Sequence, residues 1–257
     1  MAVESLERRL PLAGDVSIFT GSGGLRILSG ELDQDLSIEQ MSAGEFRIVG
    51  NDGETFRVNG ADPVEGPVIV SGITKGLLVS VGDGNDVVSI SGLSSTDTLT
   101  SMVTLLTGRG SDSATIESAR INGPLTIDTG LRDTSVDADS VVLTHLSVSK
   151  SLVINTGRGD DAVEIDGVSA TVASVTMGDG ADSVDIAASA AVAFDSLVLM
   201  LGAGDDTVEI GSGTLALRQR RSLFAGGNGS DSLQGQSNLT EVSLGRLVWT
   251  GFEVVGS

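Results

Sequence analysis

The stretch LGAGDDTVEI, Leu201 to Ile210, carries two signals at once. Gly202, Gly204, Asp206, Val208 and Ile210 share one parity, and Ala203, Asp205, Thr207 and Glu209 share the other. A period of two is the period of a β-strand. With Val208 and Ile210 turned toward a core, Thr207 and Glu209 face solvent. The two glycines ahead of the strand mark a turn in which backbone angles closed to other residues become available.

The same Gly-x-Gly-x-Asp-x-Val-x-Ile pattern recurs as VGDGNDVVSI from Val81, TGRGSDSATI from Thr107, TGRGDDAVEI from Thr156, MGDGADSVDI from Met177 and GGNGSDSLQG from Gly226. Degenerate copies open at Gly30, Gly50 and Gly130; counted from Gly130, Thr134 stands where the others have Asp. The opening glycines, Gly30, Gly50, Gly82, Gly108, Gly130, Gly157, Gly178, Gly202 and Gly227, are 20 to 32 residues apart. A variable step of this size predicts one turn of a β-solenoid per repeat, with the differences absorbed in loops. A second strand precedes each glycine turn, as in LLVSV from Leu77 and SLVLM from Ser196, and a third, weaker one lies between repeats, as in HLSV from His145. No helical periodicity is present. The expected fold is all-β: a right-handed, single-stranded parallel β-helix of about nine coils, roughly 43 Å long at about 4.8 Å per coil. Equivalent residues then stack in columns, Val88, Val163, Val184, Val208 and Leu233 in one and Ile90, Ile116, Ile165, Ile186 and Ile210 in the next.

The open ends of such a stack need covers. Residues 1–19 are expected to form an N-terminal sorting element and cap, 20–238 the solenoid, and 239–257 a C-terminal cap in which Trp249 and Phe252 cover the last coil. The longest step, Gly50 to Gly82, contains NGADPVEGP and predicts the largest excursion.

Composition narrows the function. Of 257 residues 35 are Gly and 40% are apolar, with no Tyr or Cys, one Trp and one His, so the core is aliphatic and narrow. Thirty-five acidic against fifteen basic residues give a net charge of −20. That surface attracts divalent cations and repels nucleic acid and anionic membrane. No basic patch with interleaved aromatics argues for a nucleic-acid partner, and no run of 18 apolar residues argues for membrane insertion.

Asp86, Asp112, Asp161, Asp182, Asp206 and Asp231 fall in one column at the start of the strand that follows each turn. Carboxylates stacked about 5 Å apart repel and need compensation. Two answers are open at this point. One is calcium, held by carboxylates and turn carbonyls. The other is hydrogen bonding of each carboxylate to the amides of its own glycine turn.

The turns resemble the calcium-binding nonapeptide of RTX toxins and exported proteases, most fully at Gly226, Gly227, Gly229, Asp231 and Leu233. That resemblance implies calcium as cofactor and the six aspartates as its ligands. The family repeats every nine residues, whereas this chain has one such turn in about 25, so ligands must come from the coils directly above and below. A second resemblance lies at the N-terminus. LERRLPLA, Leu6 to Ala13, is similar to the Leu-Glu-x-Arg-x-Leu-Leu element that opens many large secreted proteins of planctomycetes, with Arg8 where that element often has Pro. It implies export or placement at the cell surface.

The expected role is a structural module, secreted or at the cell surface, and not an enzyme. Its expected partners are divalent cations, with cell-surface polysaccharide or other surface proteins beyond them. A carbohydrate- or protein-binding module is the alternative, and a polysaccharide lyase or hydrolase the third reading. For those, Arg109 and Arg158 share a turn position, with Arg132 nearby, and are the candidates to contact a carboxylated sugar. His145 lacks a partnered nucleophile and is expected on an exposed loop. Glu164, Asp185 and Glu209 form an outer acidic column, and RQRR, Arg218 to Arg221, is the one dense basic cluster.

Overall fold

In the computed structural model the described residues are 15–92, 102–130, 136–218, 220–241 and 247–253. LERRLPLA, Arg132 and Thr134 therefore lie outside the described residues, as do most of the expected N-terminal cap and parts of the C-terminal one. The chain is a parallel, three-sided β-solenoid. Face 1 holds the strands that follow the aspartates, such as Val87–Ser91, Ala162–Asp166, Ser183–Ile186 and Thr207–Ile210. Face 2 holds those that precede the glycine turns, including Leu77–Ser80, Val103–Leu106 and Leu125–Asp128. Face 3 closes the triangle with residues 119–121, 146–148, 169–170 and 193–194, then Leu215–Leu217 and Leu239–Glu241.

The register bears out the expected columns and completes them. Leu36, Val88, Ala114, Val141, Val163, Val184, Val208 and Leu233 stack in one column. Ile38, Ile90, Ile116, Leu143, Ile165, Ile186 and Ile210 stack in the next. These side chains are essentially free of solvent contact. Each fully buried aliphatic side chain contributes about 1.5–3 kcal/mol. No coil closes a core alone, so that gain appears only when neighbours stack.

The coil count differs from expectation at one place. Faces 1 and 2 carry nine strand levels among the described residues, but face 3 carries six, so the solenoid completes about six three-sided turns. Gly50 does not open a coil. The first level, Gly24–Leu28 and Asp35–Ser42, stacks directly on Leu77–Ser80 and Val87–Ser91. Residues 43–76 between them only overlap the excursion expected from Gly50 to Gly82, because Leu77–Ser80 is already back in the stack, and they fold back in antiparallel pairs. Every antiparallel pairing falls in residues 15–70. Hairpins satisfy their own backbone groups without a neighbour above or below, which suits them to end a stack. Phe46 and Phe56 are fully buried there.

At the other end Leu247–Thr250 and Phe252–Glu253 continue the parallel stack. Trp249 follows Phe224 in register and is half-exposed, as the last member of an inner column must be. Among the described residues, no helix is long and apolar enough to cross a membrane.

Candidate functional site: the aspartate column

Each Gly-x-Gly turn ends in an aspartate that points inward. The backbone of the turn makes this possible. Gly202 and Gly204 have φ of +117° and +143°, and a Cβ on either would overlap the carbonyl oxygen of Gly178 or Gly180 in the preceding coil. Both the angle and the close approach demand glycine. The same overlap recurs at Gly108 on Gly82 and at Gly227 on Gly202. Turn amides are used along the stack as well: Gly84, Gly159, Gly180 and Gly204 donate to the carbonyls of Arg109, Asp179, Ala203 and Asn228 at 2.7–2.8 Å.

The column contains the six expected aspartates and a seventh, Asp139, at the level between Asp112 and Asp161. The count from Gly130 that led to Thr134 fails because Asp139 follows Gly130 by nine positions rather than four. All seven are at most 2% exposed. Their Oδ1 atoms reach the neighbouring coil rather than their own turn. The Oδ1 of each accepts the backbone N–H of the aspartate one coil earlier: Asp112 from Asp86, Asp139 from Asp112 and Asp161 from Asp139, each at 2.8 Å. Asp182 and Asp206 continue the series at 2.9 Å, and Asp231 accepts from Asp206 at 3.1 Å. Asp86 closes the lower end on the amide of Gln34. Each side chain is a clasp between two coils.

A second ladder runs the opposite way on the outside of the turn, and the sequence reading missed it. Where the residue before the column position is Asp, Asn or Ser, its side chain accepts the amide of its counterpart one coil later, and the ladder breaks at Ala138 and Ala181. Asp33 takes Asn85, Asn85 takes Ser111, Asp160 takes Ala181 and Asp205 takes Ser230, at 2.8–2.9 Å. Ser111 accepts Ala138 more loosely, at 3.2 Å. The recurrence of Asp, Asn and Ser at this position was its signal.

The second oxygens are the chemically unusual part. The Oδ2 atoms of Asp86 and Asp182 are buried without a hydrogen bond among the described residues. Asp231 Oδ2 lies over the Cα of Gly226 in its own coil. Burial pushes Asp86 up to about 8 and Asp139 and Asp182 up to about 7. The accepted amide works against this in each case, and neighbouring column carboxyls add to the rise. Asp206 is raised for the same reasons. The uncharged acid is the form such a site favours.

Calcium fits this arrangement poorly. One oxygen of each carboxyl is engaged by an amide, and the glycine carbonyls point along the stack into the next glycine. Among the described residues no group of three or more His, Cys, Asp or Glu side chains is gathered to hold a metal ion. The outer acids stack in register, Glu164 on Asp185 on Glu209. Burial, then Glu209 and Glu164, raise Asp185. A shallow groove beside them is lined by Ser140, Val142, Ala162, Glu164 and Asp185.

Of the residues considered for sugar binding, the two that are described, Arg109 and Arg158, are each engaged by an aspartate. Arg109 pairs with Asp83 at 3.6 Å and Arg158 with Asp179 at 3.3 Å, both coil to coil on the exposed turn edge. His145 sits on a corner between faces 1 and 3, exposed, with φ of +57°. Near it, burial works to raise Asp166, but the Ser189 hydroxyl and the amides of Ser189 and Ala190 hold it below the ordinary range. Ser189 donates to Asp166 rather than to an imidazole, which is not the order a serine nucleophile requires. No protein-family model matches the chain, and neither a curated protein nor a solved structure is similar to it.

Proposed function

We propose that the chain is a structural module, placed outside the cell or on its surface, whose turns act as coil-to-coil clasps. The observation that carries this reading is the pair of opposed ladders. The amides and first carboxyl oxygens of the described turns hold one coil to the next. The net charge of −20 and the LERRLPLA resemblance support the extracellular placement. Arg109 and Arg158 are already held by aspartates, so we assign no catalytic step.

Calcium belongs to the same test. Thermal melts of the full chain in chelator and in millimolar calcium separate the two ways of keeping the column. Melting temperatures that agree within error fit a column held by amides and protons. A rise in calcium with stoichiometric binding in a titration makes the aspartates a metal ladder. Fractionating cells that express the full chain tests placement, and a protein confined to the cytosol overturns the extracellular half of the proposal.

A further inference from the structure

Face 2 is the longest weakly charged surface of a very acidic molecule. Its nine levels present two outward columns, and of those eighteen positions only Arg26 and Asp128 carry charge. The rest are aliphatic, small or neutral polar, with Leu78, Leu106, Val153, Val198, Met200 and Leu223 spread along the length. Val153 and Met200 are 37% and 42% exposed. The glycine-turn rim beside it bears Asp83, Asp160, Asp179 and Asp205. Face 1 carries the outer acids.

We infer that face 2 is where two copies of this chain associate, sheet against sheet. The charge distribution selects the partner. Two molecules of charge −20 meet carboxylates on face 1 and at the turn rim, and face 3 offers a single outward column of six levels, whereas on face 2 they close on a longer, wider uncharged surface and leave the acids at the rim. A basic partner finds almost nothing here to pair with. A glycan finds no aromatic platform among the outward residues, and an anionic membrane is repelled. Size sets the strength. Eight intervals of about 4.8 Å and a width of three to four residues give about 450 Å² on each copy, or about 900 Å² in the pair. This is the low end for a specific interface, so the dimer is reversible and weak. The association adds an assembly step to the structural reading and rests on it.

Sedimentation velocity of the full chain over a wide concentration range tests the inference. The weight-average mass is expected to rise from 26.1 kDa toward twice that value, and further at higher salt, which screens the residual repulsion. Val153→Glu with Met200→Glu is expected to hold the chain monomeric. Val87→Glu, at an equally exposed site on face 1, is expected to leave the dimer intact. If the double glutamate variant does not fold, Val153→Thr with Met200→Thr is expected to lower the dimer fraction several-fold. A wild-type chain that stays monomeric throughout overturns the inference, as does equal loss of dimer in Val87→Glu. Circular-dichroism melts of the same samples report the clasped solenoid separately, so loss of assembly is distinguishable from loss of fold.

Discussion

Asp182 accepts the buried amide of Asp161 through Oδ1, while its Oδ2 is buried without a hydrogen bond among the described residues. The two oxygens make separable contributions. Asp182→Ala strands the Asp161 amide and is expected to cost about 1–3 kcal/mol in denaturant unfolding. Asp182→Asn keeps an acceptor for that amide and removes the titration, so its cost at neutral pH should be smaller. The sign of the pH dependence follows from the raised values. An aspartate with a folded pKa of about 7 or 8 and an ordinary unfolded one binds more protons when folded. Its contribution is fully present below about pH 4 and is lost as pH rises through 7 to 8. The melting temperature is therefore expected to fall by several degrees between pH 5 and pH 9, over a broad range because the column titrates as a unit. Asp182→Asn should flatten that slope. A wild-type melt that rises with pH would show that the column is charged throughout.

The turn is the element on which the stack depends, and its glycines are not equivalent. Gly204→Ala places a methyl group on the Gly180 carbonyl as well as at a positive φ, and is expected to cost about 3 kcal/mol or more. Gly53 has φ of +87° with open space around it, so Gly53→Ala should cost about 1 kcal/mol. Denaturant titrations of the two variants compare crowding with backbone angle alone. The periodic parts of these elements were legible in the sequence, because alternation fixes which residues face inward and the glycine step fixes the repeat. Counting forward from a glycine failed wherever the loop changed length. Asp139 was passed over for Thr134, although Ser140, Val141 and Leu143 after it match the strand that follows every other column aspartate. Gly50 was read as a coil because a hairpin strand and a solenoid strand share the period of two. The direction of the clasps was not legible, since a carboxylate within reach of two amides looks the same from sequence.

Across the whole molecule, each level contacts its two neighbours and little else, so stability is a sum over similar units and their interfaces. Removing Gly178 to Leu201 joins Met177 to Gly202, residues already consecutive in register, and brings Asp161 below Asp206. This shortened chain is expected to fold with the same circular-dichroism spectrum and a modestly lower melting temperature. Removing only residues 178–189 breaks the register of every later column and should abolish the cooperative melt.

The clasps also set how the molecule answers to tension. From Asp112 onward the coils are tied to one another by three layers of strand pairing, and the carboxyl-to-amide contacts of the column follow one another at 21 to 27 residues. A pull on the two ends loads these ties in series, one coil peeling away before the next is engaged. Each release frees roughly 70–100 Å of chain. The rod is thus expected to give way in near-equal lengths, which stretching a single molecule by its ends would read as evenly spaced steps.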